Sequence, residues 1–303
     1  MQSPARINKT IFFLVLHFIV ISAVLGVVAA IYDINMIIIA GISQFAGLFL
    51  PFLFYLLLTK QSFKKVLPWR GLSLNNAVLV AILSFAILPM VQVLFHLLSL
   101  VFVPVITDVL EEVHTAPVWL SVLCIGVLPS LFEEFWFRGA MYTEYRAKGV
   151  SIHKTVIITA LFFGLIHMNF QQVVYAAAIG ALYAYLVYYT RSILAPVLGH
   201  FINNSMAVIL MYIEPYQVWH RNLSENSLNF LFVMGFASLV MMPVAIYCMR
   251  RLKKYHRSTE PMGETEAIAI PLPKPKVYTW GFWAVVVVLG LMTLIIEIGL
   301  HVL

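Results

Sequence analysis

Residues 118–145 read VWLSVLCIGVLPSLFEEFWFRGAMYTEY, a largely apolar run that carries two adjacent carboxylates, Glu133 and Glu134, and a guanidinium, Arg138. A run of this length is what a membrane-crossing helix needs, since about 20 residues at ~1.5 Å each span a hydrocarbon layer of ~30 Å. An ionisable side chain at the middle of such a helix costs roughly 2.5–3.5 kcal/mol, so it needs a partner and usually has a job. This stretch therefore points both to a membrane protein and to chemistry inside it.

The rest of the chain has the same character. Of its 303 residues 62% are hydrophobic and only 11% charged, with a mean hydropathy of +0.95. A soluble domain carries about 25% charged residues. The apolar runs are continuous rather than alternating, which excludes barrel strands. In lipid the remaining solution is the helix, which satisfies its own backbone. The expected fold is all-α: a polytopic integral membrane helix bundle of about 8–9 transmembrane helices, at roughly 10–32, 35–59, 76–105, 118–145, 155–169, 171–190, 193–213, 228–249 and 278–301. The first of these is too long for a signal-peptide core and is kept as a membrane helix.

The formal charge of +6 reads as topology, and no nucleic-acid partner is expected. With the N-terminus in the cytoplasm, every Lys and Arg except Arg138 and Arg221 falls on a cytoplasmic segment, from Arg6 and Lys9 to the run Arg250–Arg257. That is the bias of the positive-inside rule. The opposite loops hold Asp108, Glu111, Glu112, Glu214 and Glu225. Trp69, Trp119, Trp219 and Trp280 fall near helix ends, where an interfacial aromatic belt forms. Cys124 and Cys248 lie toward opposite faces, so no disulfide between them is expected.

Polar residues cooperate only if they share a level. Counted from the cytoplasmic helix ends, Glu133, His167 (in ALFFGLIHM) and Asn204 (in APVLGHFINNS) each lie ~20 Å in, and His200 ~14 Å in. His200 and Asn204 are four apart and share a helix face, as do Glu134 and Arg138. Pairing of Glu134 with Arg138 leaves Glu133, about 100° round the helix, for another neighbour. The division of labour that follows has Glu134 and Arg138 as support and Glu133 as general base toward water. His167 holds the same water and passes protons, and His200 and Asn204 hydrogen-bond a developing oxyanion. The four residues Glu133, His167, His200 and Asn204 are expected to line one water-accessible cavity, open laterally or toward the cytoplasm. Asn203, three residues from His200, is taken as structural.

The strings Glu133-Glu134-x-x-x-Arg138, Phe163-x-x-x-His167 and His200-x-x-x-Asn204, in this order on successive helices, resemble the three motifs of the CAAX prenyl protease and bacteriocin-processing family, also called Abi. The resemblance covers about residues 118–213 and implies an intramembrane endopeptidase. By motif position it implies Glu133 as the catalytic glutamate, His167 as the water-activating histidine, and His200 with Asn204 as the oxyanion-stabilising pair. It further implies cleavage of a membrane-associated peptide or protein substrate on the cytoplasmic side, of a prenylated CAAX type in eukaryotic-type members. The chain then divides into N-terminal transmembrane helices (1–117), the catalytic core (118–213), one transmembrane helix (214–249), a charged and then Pro-rich cytoplasmic linker (250–277) and a C-terminal transmembrane helix (278–303). The start of that linker, RRLKKYHR, reads first as an ordinary stop-transfer flank and second as a contact for anionic headgroups.

A metal-free glutamate and histidine mechanism without a cofactor is expected. HExxH is absent and the two histidines come from different helices; if zinc is used, its ligands are Glu133, His167 and His200. Two other functions compete. One is a proton-coupled transporter, since buried Glu and His also build proton relays, although no internal repeat is found. The other is an inactive family member that serves as a scaffold. Localisation is an integral membrane, the plasma membrane for a bacterial protein.

Overall fold

The computed structural model describes residues 5–103, 112–259 and 276–302. Asp108, Glu111 and residues 260–275 of the expected linker lie outside the described residues. The chain runs through α1 (Ala5–Tyr32), α2 (Met36–Thr59), α3 (Leu74–Ser99), α4 (Val118–Ala147), α5 (Ile152–Leu165), α6 (Phe170–Thr190), α7 (Leu194–Met211), α8 (Glu214–Ser224), α9 (Ser227–Thr259) and α10 (Trp280–Val302). No strand occurs among the described residues. Among them, eight helices are long and apolar enough to cross a membrane, all but α5 and α8. The protein is an all-helical, polytopic membrane bundle.

One expected span is corrected. The segment 155–169 is not a full crossing: α5 ends at Leu165 and has 14 residues, about 21 Å where a span needs ~30 Å. The chain turns back because Met168 takes a left-handed φ of 52°. Asn169 then caps α6, its side-chain oxygen accepting from Gln172 N at 3.1 Å. The hairpin of α5 and α6 is tight. A Cβ at Gly164 would overlap the Val173 carbonyl oxygen, so the two backbones meet through a residue without a side chain. Beyond the core, α9 continues without a break past residue 250 to Thr259, into the region read as linker.

Helix ends sort into two layers. In one, Asn8 donates to the Val277 carbonyl and accepts from the Tyr145 hydroxyl, Gln61 donates to Glu144, and Ser192 donates to the Arg70 carbonyl. The ends that carry Arg6, Lys60, Arg146, Lys154, Arg191 and Arg250 gather here, so this is the basic end. At the other, Asn35 donates to Thr115, Tyr212 to the Ala116 carbonyl, and Val103 N to Glu297.

Three apolar clusters fill the interior among the described residues, a small one around Ile37, Cys124 and Val208 and two larger ones. One joins α1, α2, α4, α5 and α10 around Phe52, Trp136, Phe137, Phe162 and Phe282. The other joins α3, α6, α7 and α9 around Leu83, Tyr183, Ala195 and Cys248. Outward-facing Phe13, Phe54, Leu57, Phe232 and Phe236 stay exposed, as suits side chains whose solvent is lipid. Trp69, Trp119, Trp219 and Trp280 are also exposed at or near helix ends, and Cys124 and Cys248 are both free. Three π-helical turns interrupt the bundle, at Phe45–Phe49 in α2 and at Val122–Val127 and Phe135–Met141 in α4. Such wide turns are uncommon and recur at functional sites. Here they flank the buried polar residues.

Candidate active site

Glu133 and Glu134 end the α-helical turn Leu128–Glu134, and Arg138 lies in the π turn that follows. Arg138 Nη1 donates to Glu134 Oε1 at 3.0 Å with both side chains fully buried, so the expected i, i+4 pair is formed. The guanidinium also donates through Nη2 to the Gly180 carbonyl of α6 at 2.8 Å and lies 4.2 Å over the Phe163 ring. A Cβ at 180 would stand 2.9 Å from both Arg138 Nη2 and the Phe163 ring, so one of them would have to shift.

His200, buried on α7, completes the cluster. Its Nδ1 lies 2.9 Å from Glu134 Oε1, and its ring stacks on Tyr183 at 5.3 Å. A carboxylate oxygen that also receives Arg138 is an acceptor, so Nδ1 carries a proton and Nε2 is left to face outward. That Nε2 is 3.9 Å from Glu133 Oε2, too far for a hydrogen bond and wide enough for a bridging group. Glu133 is held from the other side: Gln44 Nε2 of α2 donates to its Oε1 at 2.9 Å. The two glutamates thus have separate surroundings, one locked by Arg138 and His200, the other held by a neutral amide.

His167 sits on the turn after α5 rather than inside a spanning helix. Its Nδ1 lies 2.8 Å from the Phe163 carbonyl, one of the acceptors that a helix C-terminus leaves open. A carbonyl only accepts, so His167 also keeps its proton on Nδ1 and offers Nε2. It joins the cluster through Phe163, whose ring stands 5.3 Å from His167 and 5.8 Å from His200, edge to face with each. Asn204, one turn beyond His200, donates to the Ile125 carbonyl inside the π turn Val122–Val127 at 3.0 Å. Asn203 donates to the Tyr183 hydroxyl at 2.8 Å and so fixes the ring on which His200 lies.

Of the six residues read from the sequence, Glu133, Glu134, Arg138 and His200 meet directly. His167 lies one aromatic ring away, and Asn204 has its amide on a neighbouring carbonyl. Five cavities of 310 to 800 Å³ open elsewhere in the bundle, and none of the five is lined by Glu133, His167, His200 or Asn204. Glu133 and His200 are buried, with Glu133 only 7% exposed, whereas His167 and Asn204 are half-buried.

Sequence reasoning missed Gln44, Phe163 as a shared wall, and Tyr183. Gln44 had a signal: it is an amide in an otherwise apolar span, and a polar side chain in lipid needs a partner. Tyr183 stands in a run with Tyr185, Tyr188 and Tyr189 that reads first as helix–helix or headgroup contact and second as lining a substrate path, and nothing in that run singles it out as the partner of His200. For zinc the test is the donor set. Among the described residues no group of three or more His, Cys, Asp or Glu side chains could hold a metal ion.

Comparison with known proteins bears on this same segment. No curated protein and no solved structure matches the chain. A family model described as type II CAAX prenyl endopeptidase, Rce1-like, matches residues 115–206, which include Glu133, Glu134, Arg138, His167, His200 and Asn204. Over residues 115–206 this membrane helix bundle is therefore similar to the Rce1-like type II CAAX prenyl endopeptidases.

Proposed function

We propose that the protein is an intramembrane endopeptidase that cleaves a membrane-associated, CAAX-type substrate by water that Glu133 activates. The basic end is assigned to the cytoplasm by the excess of Lys and Arg there. For a prenylated substrate, the reaction removes the last three residues after the modified cysteine. The observation that carries the reading is the unequal treatment of the two glutamates: Glu134 is bound by Arg138 and His200, while Glu133 faces the His200 Nε2 across 3.9 Å.

In the proposed sequence a water enters that gap and attacks the scissile carbonyl carbon while Glu133 takes its proton. The tetrahedral oxyanion accepts hydrogen bonds from His200 Nε2–H and from the Asn204 amide hydrogen not given to Ile125. For Nε2 to donate, His200 carries both ring protons, and with both glutamates ionised the four-residue cluster is then neutral overall. The carbon–nitrogen bond breaks as the leaving amine receives the proton, from Glu133 directly or by way of His167 Nε2. A carboxylate and a free amine result.

A fluorogenic prenylated peptide offered to purified protein tests this. Glu133→Ala should lower turnover by on the order of 10²–10⁴, the contribution of a positioned general base. His167→Ala should also lower it. Cleavage that survives Glu133→Ala unchanged removes the proposal, and substrate flux without hydrolysis assigns the site to transport.

A further inference from the structure

At the basic end a cavity of about 320 Å³ lies between the start of α3 and the end of α9, away from the proposed catalytic residues. Its walls are Asn75, Asn76 and Leu79 from α3, and Arg251, Lys254 and Tyr255 from α9. Three features converge on it. The first is the N-terminus of a 26-residue helix, capped by Ser73, whose hydroxyl accepts from Asn76 N while its carbonyl accepts from Ala77 N. Leu74 and Asn75 keep backbone N–H groups with no intrahelical acceptor, at the positive end of the helix dipole. The second is the pair of cations. Arg251 and Lys254 are three apart on α9 and so share a face. The third is Asn76, which is 4% exposed and lines the cavity, its carboxamide making no hydrogen bond to another described residue.

Backbone N–H donors, a buried amide and two cations, in a cleft at the level where helices leave the membrane, are the donor set of an oxyanion site. We propose that this cleft binds the phosphate of an anionic lipid headgroup. Zwitterionic lipids present a phosphate at the same depth, but their ammonium is repelled by Arg251 and Lys254, so the site selects lipids with net negative charge. The proposal is independent of whether Glu133 is catalytic.

Generic attraction of a basic flank to a negative surface is the competing explanation, and α9 supplies its own control. Arg250 and Lys253 belong to the same basic run but line a different, apolar cleft with Leu83, Ile87 and Met242. The full-length protein in mixed micelles is titrated with phosphatidylglycerol, phosphatidylcholine or inorganic phosphate, and bound lipid is counted by native mass spectrometry. Phosphatidylglycerol should be retained over phosphatidylcholine, and R251Q/K254Q should weaken its retention by about ten- to thirtyfold, the worth of two charges near an anionic surface. R250Q/K253Q, equal in charge, should change retention less than threefold. Asn76→Leu should weaken it too, and Asn75→Ala serves as a second reporter if the buried position misfolds. Equal losses from the two double variants, no preference between the two lipids, or occupancy by inorganic phosphate that phosphatidylglycerol does not displace would each overturn the proposal.

Discussion

Glu134 and Arg138 show how a charge survives inside the bundle. Both are fully buried, and each is the other's main compensation. Removing one partner strands the other, so Glu134→Gln or Arg138→Met should each destabilise the protein by about 3–5 kcal/mol, read as loss of thermal stability in detergent. The double variant should lose less than the sum of the two, the signature of coupled neighbours. Gln44 invites a different test. Its amide donates to Glu133 while its own oxygen is buried without a partner. Gln44→Leu, which removes that donor, should lower turnover on the prenylated peptide, and Gln44→Glu, which sets a like charge beside Glu133, should lower it farther. Unchanged turnover in both variants would reduce Gln44 to a packing residue.

At the scale of elements, the α5–α6 hairpin carries Phe163, His167 and Tyr183, with His167 5.3 Å from the Phe163 ring and Tyr183 stacked on His200. Its geometry rests on Gly164, where a Cβ would meet the Val173 backbone oxygen. Backbone cannot rotate away as a side chain can. Gly164→Ala should cost roughly 1–3 kcal/mol by overpacking and should displace His167 from the cluster. Turnover should fall together with stability, whereas Gly290→Ala, with open space around its Cβ, should leave both unchanged. The π turns belong to this scale too. They adjoin Gln44, free the Ile125 carbonyl for Asn204, and carry Arg138 toward Gly180. A residue count at a uniform rise per turn does not anticipate them.

For the whole molecule, the prediction concerns orientation. A cysteine at Lys64 should react with a membrane-impermeant maleimide only after permeabilisation, and one at Asn222 in intact cells, because Lys64 lies at the basic end and Asn222 at the other. The native Cys124 and Cys248 are buried, so background labelling should be low. The reverse pattern would place the proposed site's basic end outside. Under the proposed glutamate and histidine mechanism, activity should also persist at full level in a preparation shown to be free of metal, and its loss there would overturn that mechanism.

Composition and apolar run length were enough to determine a helical membrane bundle, because lipid leaves the backbone no other choice. Helical spacing was enough to pair Glu134 with Arg138, because residues four apart are neighbours on any helix. The motif strings were enough to single out residues 118–213, most of which lie within the 115–206 that the family model matches. What the sequence could not supply was contact between helices. The partner of Glu133 is Gln44, 89 positions away, and that of Arg138 is the Gly180 carbonyl, 42 positions away. The place of His167 on a turn rather than in a span depends on the left-handed conformation at Met168. Those features arise where separate helices pack, and packing follows from the shapes of all the neighbouring surfaces at once. The chain alone therefore determined which of the two glutamates pairs within its own helix, and only the tertiary structure decided what faces the other.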